Sequence, residues 1–318
     1  AAINAQPEEI YFTSGGTESD NWAIKGLKNR YHFHPMHIVT SSIEHHAILE
    51  SLKDRWNERE DILYTLVSPE PSGVIDPRKV SDAFRLNTEL CSIMMVNNET
   101  GAVTDISAVK KVLKAASSRA LLHTDAVQGF MKIPFAAKTL GADLISVSAH
   151  KVHGPKGCGA LYISPRLKSF PAFLLGGGQE NGYRSGTEAV PAVLGFAAAC
   201  AEVGKTWRAD AAEEKALLEN LIAELCKLDG VAVNGAHEAP HILSISIPGV
   251  PTQNSLNLLQ ERGICVSAGS ACAKGHRSHV LEAMKLAPET MDGSFRVSLC
   301  RNTTQEELDT LVRVIREE

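Results

Sequence analysis

The first two-thirds of the chain alternate short apolar runs with segments of helical periodicity. Six runs are typical of buried strands: residues 9–13, 37–40, 91–96, 120–124, 144–147 and 159–163. Between them lie helix candidates such as residues 106–116, where apolar side chains recur every three or four positions. Alternating strands and helices predict an α/β fold, with a mainly parallel sheet covered on both faces.

The pattern changes near residue 207. Residues 211–228 have the apolar stripe of an amphipathic helix, and Gly230 follows it. Four further apolar runs come next, at 231–233, 242–247, 263–266 and 295–299. Alternating polarity in the run 242–247 predicts a half-exposed strand. We therefore expect a large domain over residues 1–208 and a smaller α+β domain over residues 209–318.

Composition excludes several classes of protein. The 318 residues are 44% hydrophobic and carry a net charge of −5, which gives no general reason to expect nucleic acid or membrane binding. The chain starts without a signal-peptide pattern and without Met, so we expect a preceding N-terminal segment to be missing. Seven cysteines and no Cys-x-x-Cys pair argue against a disulfide framework or a zinc site and favour the cytoplasm. Most of these cysteines lie in apolar runs and are expected in the core.

Lys151 and Asp125 each follow an apolar run. Ligands of parallel sheets bind at the carboxyl ends of strands, so both side chains are expected at one site. A lysine that can form a Schiff base and a carboxylate that can protonate a pyridine nitrogen are what a pyridoxal phosphate (PLP) enzyme needs. The alternatives are a surface lysine and an aspartate that caps a helix. Gln128 could bond the ring oxygen, while Ser148 and His150 suit phosphate.

Other polar motifs follow further predicted strands. Gly16 and Thr17 precede a helix whose N-terminus could bind phosphate, or they form an ordinary capped turn. His45 could stack on a cofactor ring or cap a helix. Asn98 is a turn residue or a ligand of the ring oxygen.

Three features lie later in the chain. A glycine-rich pair of loops offers Arg184 and Thr187 as anion ligands, or is a flexible linker. Cys272 follows small residues and precedes basic ones, which would favour its thiolate, although it could be a loop cysteine with no task. Arg296 in an apolar strand needs an anion, either a substrate carboxylate or a structural partner.

The order of these motifs resembles the cysteine desulfurases of the NifS/IscS type, which are fold-type I PLP enzymes of the class-V aminotransferase group. The resemblance covers essentially the whole chain. It rests on eight motifs: Ser-Gly-Gly-Thr-Glu-Ser-Asp-Asn, Glu-His45, Asn-Asn98-Glu-Thr-Gly, Asp125-Ala-Val-Gln128, Ser-Ala-His-Lys151, Arg-Ser-Gly-Thr187, Gly-Ser-Ala-Cys272 and Phe-Arg296-Val-Ser-Leu. It implies a seven-stranded sheet in the large domain and a homodimer.

The resemblance also implies a role for each site residue. Lys151 would hold PLP and shuttle the Cα proton, and Cys272 would form a persulfide. His45 would stack on the ring, and Arg296 would bind the substrate carboxylate. The remaining cofactor ligands would be Gly16, Thr17, Asn98, Asp125, Gln128, Ser148, His150 and Thr187, the last reaching the phosphate of a neighbouring subunit. The family's N-terminal Leu-Asp-Asn-Ala-Ala-Thr-Thr-like segment is missing, and the cysteine segment is shorter than in the IscS branch.

The implied activity converts L-cysteine to L-alanine and passes sulfur from Cys272 to an acceptor protein, for iron–sulfur clusters, thiolated tRNA or thio-cofactors. Selenocysteine lyase and cysteine sulfinate desulfinase are alternatives on the same scaffold. A non-catalytic scaffold for sulfur transfer is an alternative of another class.

Overall fold

In the computed structural model the chain divides into two compact units. The structure describes residues 1–29, 35–58, 62–116, 120–269 and 277–317. The first unit consists of Ala1–Val67, Ile75–Val96 and Thr104–Thr206. The second consists of Ser68–Val74, Asn97–Val103 and Trp207–Glu318. Cys272 lies outside the described residues.

The first unit is built on seven strands: β1 (Ile10–Thr13), β2 (Met36–Ser41), β3 (Ile62–Val67), β4 (Thr88–Ser92), β5 (Leu121–Asp125), β6 (Leu144–Ser148) and β7 (Gly159–Ile163). Its helices are α1 (Gly16–Lys25), α2 (His46–Glu58), α3 (Pro77–Asp82), α4 (Ile106–Ala116), α5 (Ala137–Leu140) and α6 (Val190–Val203). Short 3₁₀ turns cover Pro7–Glu9, Gly26–Asn29, Ala149–Val152 and Glu180–Gly182.

The sheet of the first unit has the strand order β1-β7-β6-β5-β4-β2-β3. Strand β7 pairs antiparallel with both β1 and β6, and the remaining pairs are parallel. Because β7 alone is reversed, the other six strands end at the same edge of the sheet. Loops that follow these strands are therefore brought together at that edge.

A core of apolar side chains holds helix α1 against this sheet. Trp22 of α1 is fully buried and lies within 6.3 Å of the rings of Tyr11, Phe170, Phe173 and Tyr183. Its indole N–H donates to the carbonyl of Pro171 at 2.9 Å, so the buried polar atom is satisfied. The start of α1, which carries the glycine motif, is thereby fixed relative to the strands.

The second unit contains a three-stranded antiparallel sheet of order β10-β9-β8. Its strands are β8 (Ala232–Asn234), β9 (Ile242–Ser246) and β10 (Ser294–Ser298). Its helices are α7 (Trp207–Leu225), α8 (Thr252–Glu261), α9 (His279–Ala283), α10 (Pro288–Asp292) and α11 (Gln305–Glu317). Helices α7 and α11 bury their apolar stripes in one core with Leu243 and Phe295 of the sheet.

The predicted fold class is confirmed, with a mainly parallel seven-stranded sheet and helix α4 at the expected bounds. Three details were wrong. Strand β4 ends at Ser92 and does not continue through residues 93–96. Residues 263–266 are not a strand, because the amide of Ile264 bonds back to Leu259 at the end of α8. The edge strand β3 was not predicted at all.

Strand β9 is fully buried, so its predicted half-exposure was also wrong. The polar residues Ser244 and Ser246 are inside because the amide of Asn234 donates to their hydroxyl oxygens at 3.1 and 2.7 Å. Hydrogen bonding within the sheet removes the need for water on that face.

The cysteines follow their predicted burial only in part. Cys91 and Cys158 are buried, and Cys200 and Cys300 are partly buried. Cys226 and Cys265 are exposed, so placing them in the core was wrong. In the described part of the chain, no helix is long and apolar enough to cross a membrane, and no cluster of three potential metal ligands occurs.

Gly101 sits where a side chain has no room. Its φ is +73°, and an added Cβ would lie 2.6 Å from the carbonyl oxygen of Ile242. We expect Gly101→Ala to lower the free energy of unfolding by about 2–4 kcal/mol, from backbone strain and overpacking together. Gly249 has a φ of +87° with open space around it, so Gly249→Ala should cost about 1 kcal/mol. Urea denaturation of both variants checks this, and equal losses would contradict it.

Candidate active site

Four of the predicted motifs lie at one edge of the sheet in the first unit. Gly16 follows β1, His45 follows β2, Asp125 ends β5 and Ser148 ends β6. These four strands point the same way, so their ends are brought together by the topology rather than by closeness in sequence. The predicted grouping of these residues depends on this shared direction.

Asp125 is a buried carboxyl group beside a lysine. Its side chain is 6% exposed, and its Oδ1 accepts a hydrogen bond from the amide of Val127 at 2.8 Å. Burial raises the pKa of Asp125 to about 6, while the bond from Val127 and the charge of Lys151 act in the opposite direction. A buried carboxyl of this kind is stabilised in its ionised form by any further cation placed against it.

Lys151 is partly buried in the 3₁₀ turn Ala149–Val152, which directly follows β6. His153 ends this turn with a left-handed φ of +62°, and the amide of Gly154 bonds back to Ala149 at 2.9 Å. The turn is therefore tightly defined on both sides of the lysine. Lys151 is neither fully exposed nor fully buried here, and its charge acts on the buried Asp125.

Ser148 and His150 are joined to each other. The hydroxyl of Ser148 and the Nδ1 of His150 lie 2.9 Å apart, with Ser148 buried and His150 exposed. Burial and the charges of Lys151 and Lys156 lower the pKa of His150. This pair of hydrogen-bonding groups at the end of β6 has the chemistry of an anion site.

The glycine motif packs against the same strand ends. A Cβ at Gly16 would lie 2.7 Å from Val127 Cγ2, and one at Gly15 would lie 3.8 Å from Ser148 Oγ. Gly15 also has a φ of +151°. Glycine therefore allows the first turn of α1 to approach Asp125 and Ser148 closely, with the N–H groups of a ten-residue helix beginning there. Thr17 is exposed in this turn.

His45 and Gln128 are partly buried at the same strand ends. The Nδ1 of His45 accepts a hydrogen bond from the amide of Ala47 at 3.1 Å, just where α2 begins. The histidine thus caps the helix with one ring nitrogen, which was one of its two predicted roles. This bond fixes the ring, and stacking on a cofactor is compatible with it.

The glycine-rich loops carry Arg184 and Thr187, which differ in their contacts and exposure. Arg184 forms an ion pair with Glu18, through distances of 2.7 and 3.2 Å, so its guanidinium group has an anionic partner within the chain. This pair depresses the pKa of Glu18 against the effect of burial. Thr187 is exposed, in a stretch where residues 186–191 are all exposed.

Two of the predicted site residues are in the second unit. Asn98 is partly buried, and its carbonyl accepts a hydrogen bond from Arg296 Nη1 at 2.8 Å. Arg296 Nε donates to Ser298 Oγ at 3.0 Å. Burial lowers the pKa of Arg296, and the negative charge of Glu99 opposes this. Nη2 has no hydrogen-bond partner within the described residues, which leaves this end of the guanidinium group able to bind an anion.

Sequence reasoning missed two fully buried groups behind Asp125. Asp20 on α1 is 1% exposed, with Oδ1 3.6 Å from His123 Nε2. The ring of His123 is held between the hydroxyls of Ser92 and Ser146, at 2.8 and 3.0 Å. Burial lowers the pKa of His123 to about 3. Burial raises the pKa of Asp20, and the nearby Asp125 raises it further. A histidine two positions before Asp125 in an apolar strand was the available signal, since such residues share a face.

Glu44 is a second buried carboxyl that the sequence analysis passed over. Its Oε1 accepts hydrogen bonds from Ser41 Oγ at 2.5 Å and from the amide of Met94 at 3.0 Å. Burial raises its pKa to about 8 despite these bonds, and the charge of Asp125 adds to the shift. Glu44 is therefore protonated at neutral pH, which spares the site a second buried negative charge.

Comparison with known proteins identifies the family. The family model for aminotransferase class-V matches residues 1–311. The chain belongs to the class-V aminotransferase family. It is 41% identical to cysteine desulfurase IscS of Vibrio atlanticus, over 99% of this chain and 78% of that protein.

Solved structures place the chain in the same group. It superposes on a NifS-like protein with a TM-score of 0.92 and 34% identity, covering 99% of this chain and 84% of that one. It superposes on the SspA protein solved in complex with cysteine with a TM-score of 0.78 and 32% identity, covering 95% and 84%. The predicted resemblance to cysteine desulfurases of the NifS/IscS type is confirmed.

Because the pKa of Glu44 is raised in the folded protein, the free energy of unfolding should depend on pH. Between the ordinary Glu44 pKa of 4.5 and the folded value of about 8, the folded chain binds more protons than the unfolded chain. Stability is therefore lost as the pH rises through this window. Glu44→Gln should gain stability relative to the parent as the pH rises from about 4.5 to about 8, by on the order of 5 kcal/mol in total.

Denaturant unfolding of parent and variant at several pH values measures this difference. Glu50→Gln on the same helix is the control, because Glu50 is exposed and should show no such trend. A difference between Glu44→Gln and the parent that is independent of pH would mean that Glu44 is ionised in the folded protein.

Proposed function

We propose that this protein is a PLP-dependent cysteine desulfurase, which converts L-cysteine to L-alanine and takes up the sulfur as a persulfide on Cys272. The observation that carries the proposal is the buried Asp125 at the end of β5, with Lys151 in the turn that follows the neighbouring strand β6 and Gly16 packed against Val127. Class-V family membership and about 40% identity to IscS proteins support the same activity.

The residues of the first unit fit PLP. The buried carboxyl of Asp125 suits a protonated pyridine nitrogen. Burial destabilises the ionised form of this carboxyl group, and a cation placed against it would stabilise that form. Ser148, His150, Gly16 and Thr17 supply hydroxyl, imidazole and helix-start N–H groups for a phosphate. His45 would lie on the ring, with Gln128 on the ring oxygen. Asn98, which belongs to the second unit, would be another ligand of that oxygen.

Each catalytic group of the chain has a separate task. When bound, PLP supplies an electron sink for bonds at the substrate Cα. The amine of Lys151 accepts and returns the Cα proton, and its place in a tight turn restricts where it can reach. Asp125 keeps a negative charge against the pyridine nitrogen. The thiolate of Cys272 attacks the substrate sulfur, the Cβ–S bond breaks, and L-alanine leaves with two protons taken up.

Arg296 is proposed to bind the carboxylate of L-cysteine. Nε and Nη1 are held by Ser298 and Asn98, which fixes the plane of the guanidinium group. A fixed guanidinium group binds a carboxylate with two parallel hydrogen bonds. The related SspA protein has been solved in complex with cysteine, which favours cysteine as the ligand here.

The persulfide on Cys272 is proposed to pass to a sulfur-acceptor protein in the cytoplasm. A reducing compartment suits a chain whose described cysteines are all free. An IscS-type relative favours iron–sulfur cluster assembly as the destination of the sulfur.

The activity is tested with purified protein, L-cysteine and mass spectrometry. We expect added sulfur on the peptide containing Cys272, stoichiometric L-alanine, and a pyridoxyl group on Lys151 after borohydride reduction. Cys272→Ala should lower the rate of sulfur transfer by about two orders of magnitude and keep the pyridoxyl adduct. Cys226→Ala is the matched control, since Cys226 is an exposed cysteine outside the site. Unchanged desulfuration of L-cysteine by Cys272→Ala would refute the assigned nucleophile.

We also propose that the chain acts as a homodimer. Leu174, Leu175, Val190 and Leu194 are exposed large apolar side chains, between 41% and 89% exposed. Helix α6 is almost entirely apolar in sequence, yet most of its residues are not buried. An apolar helix that its own unit leaves uncovered is typical of a subunit interface. Thr187 lies just before α6, where it could reach a phosphate in the partner subunit.

Introducing a charge on α6 tests the dimer. Leu194→Glu should shift the sedimentation coefficient from that of a dimer to that of a monomer, because an unpaired carboxylate cannot be buried in an apolar interface. It should also weaken PLP binding by about tenfold if Thr187 contributes across the interface. Leu86→Glu is the control, since Leu86 is fully exposed on a different surface loop. A parent protein that sediments as a monomer would contradict the proposal.

A further inference from the structure

Glu99 in the second unit is a buried carboxylate in a rigid turn. Its side chain is 3% exposed. The side-chain oxygen of Asn97 accepts hydrogen bonds from the amides of Glu99 and Thr100, at 2.9 and 3.0 Å. Gly101 then turns the chain with a φ of +73°. The direction in which the Glu99 side chain leaves the backbone is fixed by these bonds.

One oxygen of this carboxylate meets two segments that are far from it in sequence. Glu99 Oε2 accepts a short hydrogen bond from the hydroxyl of Ser278. An added Cβ at Gly269 would lie 3.1 Å from the same Oε2, so the backbone at residue 269 passes close to it. Residues 269 and 278 stand on either side of the range 270–276, in whose sequence Cys272 occurs.

The hydroxyl of Ser278 has a second partner. It accepts a hydrogen bond from the amide of Leu281 at 3.2 Å, which caps helix α9. Glu99 therefore holds the start of α9 through Ser278. The position of the chain immediately after residue 276 is set by this link.

Glu99 is also connected to Arg296. The carbonyl of its neighbour Asn98 accepts from Arg296 Nη1 at 2.8 Å. The backbone of Arg296 exchanges hydrogen bonds with Ser267, at 2.7 and 3.1 Å, so the strand bearing Arg296 is paired with the chain that leads to residue 269. The Glu99 carboxylate interacts electrostatically with the guanidinium group.

We propose that Glu99 is a positioning residue for sulfur transfer, whose carboxylate holds the chain that follows Cys272 through Ser278 and lies against the chain that precedes it at Gly269. This inference rests on the proposed desulfurase activity. The physical reason is that attack of a thiolate on a bound sulfur depends steeply on placement, so displacing the flanks of the nucleophile slows this step more than any other. PLP binding uses other groups and should not change. Because Glu99 also acts on Arg296, the affinity for the substrate carboxylate should fall, but by much less than the rate of sulfur addition.

The test compares Glu99→Gln with Glu238→Gln in the full PLP-loaded protein. Glutamine keeps the size of Glu99 but removes the charge that attracts Ser278 and Arg296. Glu238 is the matched control, because its exposed carboxylate accepts a hydrogen bond from the amide of Val103 beside the same turn. Three quantities are measured: the single-turnover rate of sulfur addition to Cys272, the affinity for L-alanine from PLP absorbance, and PLP occupancy.

We expect Glu99→Gln to slow sulfur addition by about tenfold or more, with PLP occupancy unchanged and L-alanine affinity altered much less. Glu238→Gln should match the parent in all three. Sulfur addition at the parent rate in Glu99→Gln would overturn the proposal. A parallel decline of all three quantities would also overturn it, because that outcome indicates a structural role only.

A second pair of variants keeps the test decisive if Glu99→Gln folds poorly. Ser278→Ala should slow sulfur addition, and Ser278→Thr should restore it, because threonine retains the hydroxyl that donates to Glu99 and caps α9. In the double variant Glu99→Gln/Ser278→Ala the two losses should not add, since both break one interaction. Additive losses, or equal rates for Ser278→Ala and Ser278→Thr, would refute the link. If the parent gains no sulfur on Cys272, the proposed activity itself has failed.

Discussion

The burial of the Asp125 carboxyl group at the end of β5 is the constraint on which the site depends. A carboxylate in this position is costly unless a cation faces it. The surroundings reduce the cost without removing it, since Val127 gives one hydrogen bond and Lys151 gives one positive charge. The remaining need for positive charge is what makes this end of the sheet suited to a protonated pyridine ring.

The other buried acids limit the negative charge around Asp125. Glu44 and Asp20 both have raised pKa values because they are fully buried and near Asp125. The raised pKa values favour the neutral form of both acids, which limits the negative charge beside Asp125. The neutral His123, bonded to two serine hydroxyls, fills the space between strands without adding a cation that would compete for Asp125.

In the second unit, two groups of opposite charge interact with each other. Arg296 is a partly buried cation and Glu99 a buried anion, each held by hydrogen bonds to the backbone or to serine. Such groups are retained at a cost in stability, and the gain is a defined geometry. A fixed guanidinium group and a fixed start of α9 are both useful where a substrate and a nucleophile need to meet.

Much of this was predictable from the sequence, and the exceptions have physical reasons. Family-specific motifs around Lys151, Asp125 and Cys272 identified the chemistry, since few other functions use these residues in this order. Local signals located strand β9 but predicted the wrong exposure for it, because its serines are buried by hydrogen bonds from Asn234 across the sheet. Arg184 looked like an anion ligand, but its partner Glu18 is distant in sequence and visible only in the fold.

The sequence by itself determined the fold class and the family and predicted the reactive groups, because hydrophobic periodicity and motif order are local properties of the chain. Tertiary structure decided which groups share an environment. Three contacts join residues from separate segments: the amide of Met94 bonds to Glu44, Asp20 lies 3.6 Å from His123, and Ser278 bonds to Glu99. Their charge states and contacts follow from burial, which no single stretch of sequence specifies.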